Sequence, residues 1–108
     1  MVKYKLTLNR PLKILTICGV GMGSSLILKM TTEDVIKSLG IPAKIIHGVL
    51  TEAKGAGADI ILAQPLHIDE LRDAAPIVIG IKSFVNKNEI RQKIVDELKK
   101  MGWLIEEE

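Results

Sequence analysis

Lys13-Ile-Leu-Thr-Ile17 runs directly into Cys18-Gly-Val-Gly-Met-Gly-Ser-Ser25, and Leu28, Thr32, Val35, Ile36 and Leu39 then recur at three- and four-residue spacing. The first five residues are β-branched or apolar with almost no alternation, the pattern of a strand buried on both faces of a parallel sheet. The last five lie on one face of a helix that starts at Ser24 and stops at Gly40 and Pro42. Between them sits a turn with glycine at every second position. This strand, glycine-rich loop and helix unit decides the fold class, because the rest of the chain repeats it with variations.

Lys44 to Val49 reads as a second strand and Thr51 to Ala56 as a short helical turn cut by Gly55 and Gly57. Asp59 to Ala63 is a third strand, Ile68 to Ala74 a weak helix, and Ile77 to Ile81 a fourth strand introduced by Pro76. The last helix opens on Asn86 with Glu89 three residues on, places Ile90, Ile94, Leu98 and Met101 on one face, and closes at Gly102. Alternating strands and helices require right-handed crossovers. The expectation is a Rossmann-like α/β three-layer sandwich with a four-stranded parallel sheet in the order 2-1-3-4, spanning residues 13–105. Residues 1–12 stand outside the repeat as a basic N-terminal extension, with an edge strand, an ordered arm and disorder all open for it.

The chain has 108 residues, 47% hydrophobic and 26% charged, in the range of one globular domain. Net charge is +2, with basic residues gathered at the start and Glu106, Glu107 and Glu108 at the end. The body has no basic excess of the kind that binds nucleic acid or an anionic membrane. Tyr4, Phe84 and Trp103 are the only aromatics, too few for a stacking platform. No apolar run approaches the roughly 18 residues of a membrane span, and no signal-peptide core precedes the first strand, so a cytoplasmic protein without direct membrane insertion is expected.

Cys18 is the only cysteine. A single thiol makes no internal disulfide and no multi-cysteine zinc site, which leaves an inert small hydrophobe or a reactive group. Its position favours the second. Gly19, Gly21 and Gly23 admit positive φ and remove side chains, so the backbone N–H groups of Gly19, Val20, Gly21, Met22, Gly23 and Ser24 can converge on one small anion. Ser24 and Ser25 add hydroxyls at a helix N-terminus, whose dipole stabilises both a phosphate and a thiolate. The glycine spacing is not that of a dinucleotide loop, and a Walker lysine is missing. Outside the loop, His67 and Lys82 are possible rim residues because they come after the third and fourth strands, with a solvated surface as the bland alternative; His47 at the end of the second strand is weaker still. Val20, Met22 and Leu66 are candidates for an apolar rim.

The run Cys18-Gly-Val-Gly-Met-Gly-Ser-Ser25, preceded by KILTI and completed by ADIILA and IVIGI, resembles the IIB component of the bacterial phosphoenolpyruvate-dependent sugar phosphotransferase system (PTS). Within it the sequence is most similar to the ascorbate branch of the ascorbate and galactitol group, which shares the lactose-type IIB fold. The resemblance covers about residues 13 to 103. It implies a cysteine, here Cys18, that takes phosphoryl from a phosphohistidine on a IIA protein and passes it to a sugar, of ascorbate or alditol type, entering through the membrane IIC permease. No cofactor and no metal is implied. Such a carrier is cytoplasmic and peripheral to the inner membrane through IIC.

Two rivals use the same loop. Low-molecular-weight tyrosine phosphatases and related arsenate reductases also open a phosphate loop with cysteine, but an arginine stands six residues on; here that residue is Ser24. Without the guanidinium, hydrolysis loses its main clamp. A non-catalytic regulatory IIB-like module would bind anions without using the thiol.

Overall fold

The computed structural model describes residues 3–17, 22–82 and 85–107. Four strands form the parallel sheet: β2 (Leu12–Ile17), β3 (Ala43–Gly48), β4 (Ile60–Ala63) and β5 (Ile77–Gly80), in the order β3-β2-β4-β5. This is the expected order once an additional strand, β1 (Lys3–Leu6), is counted ahead of it. Helix α1 (Met22–Leu39) connects β2 to β3, and α3 (Lys87–Met101) comes after β5. A 3-10 turn at Leu50–Gly55 and the four-residue α2 (Ile68–Leu71) make the other two crossovers.

The sheet divides the core in two. Leu12, Ile14, Ile60, Leu62, Ile77 and Ile79 pack with Leu28, Val35, Ile36 and Leu39 of α1 and with Ile90, Ile94, Val95 and Leu98 of α3. Leu15, Ile17, Ile61 and Ala63 face the opposite way, onto Ala53, Ala58 and Leu71. That second layer is thin, and its alanines let short helical pieces approach the sheet where full helices cover the other face. Because β2 and β4 are buried on both faces, their sequences show an apolar run instead of alternation.

The helix ends obey local chemistry. Asn86 accepts the N–H of Glu89 at 3.1 Å through its side chain. Gly40 and Gly102 end α1 and α3 at φ of +71° and +75°, the left-handed conformation that glycine adopts without strain. Thr31 and Thr32 are buried in α1, where their hydroxyls donate to the carbonyls of Ile27 and Leu28.

Three expectations need correction. Helix α1 begins at Met22, not Ser24, so residues 22–25 are its first turn. The helix expected over Ile68 to Ala74 is a 3-10 turn, Pro65–His67, passing into α2, which ends at Leu71. Met101 is 43% exposed, because the chain reverses at Gly102 and the buried Leu104 takes over the core position.

The N-terminal segment is a strand, but it does not extend the parallel sheet. β1 pairs antiparallel with β6 (Leu104–Glu107), in register from Lys3 with Glu107 to Leu6 with Leu104. Leu6 and Leu104 both enter the core, Thr7 donates from its backbone N–H to Trp103 and from its hydroxyl to Gly102, and the Lys99 ammonium lies 5.7 Å over the Tyr4 ring. Lys99 also pairs with Glu106, which holds the lysine's pKa above its ordinary value. Farther along, Arg10 makes a two-pronged ion pair with Asp59, 2.6 Å on each arm, and Asp59 also accepts the Lys13 N–H at 2.9 Å. The Arg10 hydrogen bond holds the Asp59 carboxyl below the ordinary carboxylate range, outweighing the opposing effect of burial.

Candidate functional site

In a parallel sheet, ligands collect beyond the carboxyl ends of the strands, where the direction of chain winding reverses. Here that place is between β2 and β4: from β2 the chain goes through α1 to β3 on one side, and β4 lies on the other. Ile17, fully buried, is the last residue of β2, and Met22 is the first of α1. The expected nucleophile Cys18, with Gly19, Val20 and Gly21, lies outside the described residues. Met22, Gly23, Ser24 and Ser25 form the first turn of α1, whose backbone N–H groups have no partner within the helix. The strand end and the helix start thus bracket the loop on the side where an anion is favoured.

The flanks of this opening are well defined. On the β3 side, Thr16 pairs with His47 and Ile17 with Gly48; His47 is exposed, while the buried Thr16 hydroxyl reaches the Ile46 carbonyl at 3.3 Å. On the β4 side, Thr16 pairs with Leu62, so β4 runs out at Ala63 level with the end of β2. Gln64 is extended and leads into the turn Pro65–His67, which is closed by the His67 N–H on the Gln64 carbonyl at 3.0 Å. Leu66 is 70% exposed at its tip. Exposed Val49, Leu26 and Ile27 stand on the elements next to the opening.

The turn is held by β5. Ile81 donates its N–H to the Ala63 carbonyl at 2.8 Å, and a methyl group added at Gly80 would come within 3.3 Å of both Pro65 Cα and Ile68 Cγ1. Gly80 is the supporting residue that sequence reasoning passed over. A lone glycine inside the strand IVIG was the available signal, since such a glycine marks close approach of another backbone. Lys82, next to Ile81, is exposed, with its N–H near Glu89 Oε2 at 3.3 Å. It lies two strand spacings, about 10 Å, from β2. His67 is half-buried; its Nδ1 is enclosed and has no hydrogen-bond partner.

Arg10 is engaged by Asp59 at the opposite end of the sheet, and Arg72 pairs with Asp69 at 3.0 Å. Among the described residues no three of His, Cys, Asp or Glu are grouped to hold a metal ion, and no helix is long and apolar enough to cross a membrane.

A parallel four-stranded sheet with a glycine-rich strand-to-helix joint at its switch point is the architecture of a lactose-type IIB domain. Residues 13–104 match the family of PTS lactose/cellobiose-specific IIB subunits, and the chain belongs to that family. It is 33% identical over 89 residues to the ascorbate-specific PTS system EIIB component of Mycoplasma pneumoniae, covering 80% of this chain and 94% of that protein. The ascorbate-specific PTS system EIIB component of Escherichia coli O157:H7 is 28% identical over 90 residues, covering 81% and 89%. In structure the chain is similar to the lactose-specific IIB component domain from Streptococcus pneumoniae, with a TM-score of 0.58 over 82% of this chain and 98% of that one; at 17% identity the likeness is one of fold.

Proposed function

We propose that this chain is the phosphoryl carrier of a sugar phosphotransferase system, with Cys18 as the residue that carries the group. IIB subunits are phosphotransferases that work with IIA and IIC partners. In the first step the Cys18 thiolate attacks the phosphorus of a IIA phosphohistidine; the S–P bond forms, the P–N bond breaks, and the histidine nitrogen keeps the electron pair. In the second, a sugar hydroxyl presented by the IIC permease attacks the same phosphorus, loses its proton and releases the thiolate. Phosphoryl transfer asks the protein for alignment and for donors to three equatorial oxygens. The N–H groups of residues 19–24, with Ser24 and Ser25, are suited to supply them. The carrier works in the cytoplasm and meets the membrane only through IIC.

The observation that carries this reading is the sequence Cys18-Gly-Val-Gly-Met-Gly-Ser-Ser25 running from the end of β2 through the first turn of α1 in a chain of the IIB family. The names of the two relatives point to ascorbate as the sugar. A phosphatase is disfavoured by Ser24 in the arginine position. The test is intact-mass measurement after incubation with phosphoenolpyruvate, the general PTS proteins and the cognate IIA. One added phosphoryl group is expected, absent in Cys18→Ser; equal labelling of that variant would exclude Cys18 as the acceptor.

A further inference from the structure

We propose that the groove between β1 and α3 binds a small phosphate monoester, its phosphoryl group held by Arg91 and its organic body laid against Val95 and Tyr4. The site does not rest on the carrier function proposed for the chain. The groove has a volume of about 400 Å³ and is lined by Tyr4, Asn88, Arg91, Gln92, Val95 and Lys99. The helical members recur at three- and four-residue spacing, so they share one face of α3. Val95 is buried and Tyr4 packs half-buried against the core, which gives the groove an apolar base and one wall. Tyr4 comes from the strand ahead of residues 13–104, so that wall is an addition to the part of the chain that matches the IIB family.

The charge of the groove points to an anion. Among the described residues no carboxylate lines it, and the three carboxylates of α3 are already engaged: Asp96 accepts from Gln92 at 2.9 Å, Glu89 pairs with Lys93 at 3.0 Å, and Glu97 lies 3.5 Å from Lys100. Glu106 takes Lys99, whose ammonium also lies over the Tyr4 ring, so this side of the groove is fixed before anything binds. Arg91 is the exception. Of the three arginines, Arg10 pairs with Asp59 and Arg72 with Asp69, whereas Arg91 has neither an ion pair nor a hydrogen bond among the described residues. Its guanidinium offers five donors in a planar fork, and the Asn88 amide one turn back adds two more. The three terminal oxygens and double charge of a phosphoryl group use that set more fully than a carboxylate does. From Arg91 to Lys99 the helix rises about 12 Å, farther than one phosphoryl group reaches, so the anion sits at the Arg91 end and an organic body occupies the rest.

The experiment titrates the full-length, isotope-labelled chain with phenyl phosphate and with benzoate, which carries the same ring on a carboxylate, at neutral pH and constant ionic strength. The Arg91 Nε resonance and the Asn88 and Val95 amides report on the groove, apart from any anion bound at the first turn of α1. Phenyl phosphate should shift them saturably, and its affinity should fall about tenfold in Arg91→Gln; benzoate should bind wild type about tenfold more weakly. Lys100→Gln removes the same charge from an exposed position on α3 outside the groove, and should leave the affinity unchanged. Groove resonances that ignore phenyl phosphate, benzoate binding as tightly, or equal losses in Arg91→Gln and Lys100→Gln would each overturn the proposal. Phosphoryl uptake at Cys18 is read separately by intact mass, so neither reading falls with the other.

Discussion

At the amino-terminal end of the sheet, Asp59 accepts from two Arg10 nitrogens and from the Lys13 backbone, gives its own N–H to the Lys13 carbonyl, and receives Ile77 on its carbonyl. At the carboxyl end, the first-turn amides of α1 have no helical partner, His67 Nδ1 has none, and Leu66 projects into solvent. One end is closed by mutually satisfied groups, whereas at the other an enclosed nitrogen of His67 has no partner. The pairing of β1 with β6 adds to the closed end, because it ties both chain termini to the core far from the opening. The proposed carrier function requires an open end for a group held only briefly, so the cohesion of the fold has to come from elsewhere. Here it comes from the sheet interior and its amino-terminal edge.

The largest effect that separates the two ends is Cys18→Ser: phosphoryl uptake should fall to background while the thermal midpoint stays unchanged. A loss of stability there would show that the open end also holds the fold together. The converse change, Leu62→Ala, removes a fully buried side chain from β4 and should cost about 2–5 kcal/mol in denaturant unfolding. Asp59→Asn should cost about 2 kcal/mol, since hydrogen bonds to a charged group are lost at a buried position. Transfer activity measured below the unfolding range should be retained.

The same carboxylate sets the acid branch of stability. Its folded pKa lies below its unfolded one, so its contribution is present above the ordinary carboxylate value of about 4 and is lost as pH falls through the folded value. Urea midpoints measured from pH 6 downward should therefore drop below about pH 4 in wild type and drop less in Asp59→Asn; parallel curves would remove Asp59 from this role. Gly80→Ala is smaller in stability, about 1 kcal/mol, but should shift the Pro65 turn by a few tenths of an ångström and slow transfer. Glu106→Gln is the smallest: the Lys99 pair is half-exposed, and unfolding should be unaltered within error.

The elements legible in sequence were those with a local cause. Thr32, Val35 and Leu39 are buried on α1 as their spacing requires, Asn86 caps α3 through Glu89, and the parallel order is a consequence of alternating strands and helices. The start of α1 was misplaced by two residues because Met22 and Gly23 read equally well as loop. The short α2 fell outside the reach of periodicity, since a helix of one turn has no period to show. The closing glutamates read as a charged tail, and nothing local marks Leu104–Glu107 as a strand.

By itself the sequence determined that the chain is a parallel α/β domain, that its only thiol opens a glycine-rich strand-to-helix joint, and which faces of the long helices are buried. Each of these is written in residues within a few turns of one another. Tertiary structure alone decided that Lys3–Leu6 meets Leu104–Glu107, that Arg10 closes on Asp59, that Gly80 makes room for Pro65, and that one nitrogen of His67 is enclosed without a partner. Those contacts join segments separated along the chain or depend on what packs around a single atom. Neither leaves a periodic trace, because the energy of each is set by a neighbour that only folding supplies.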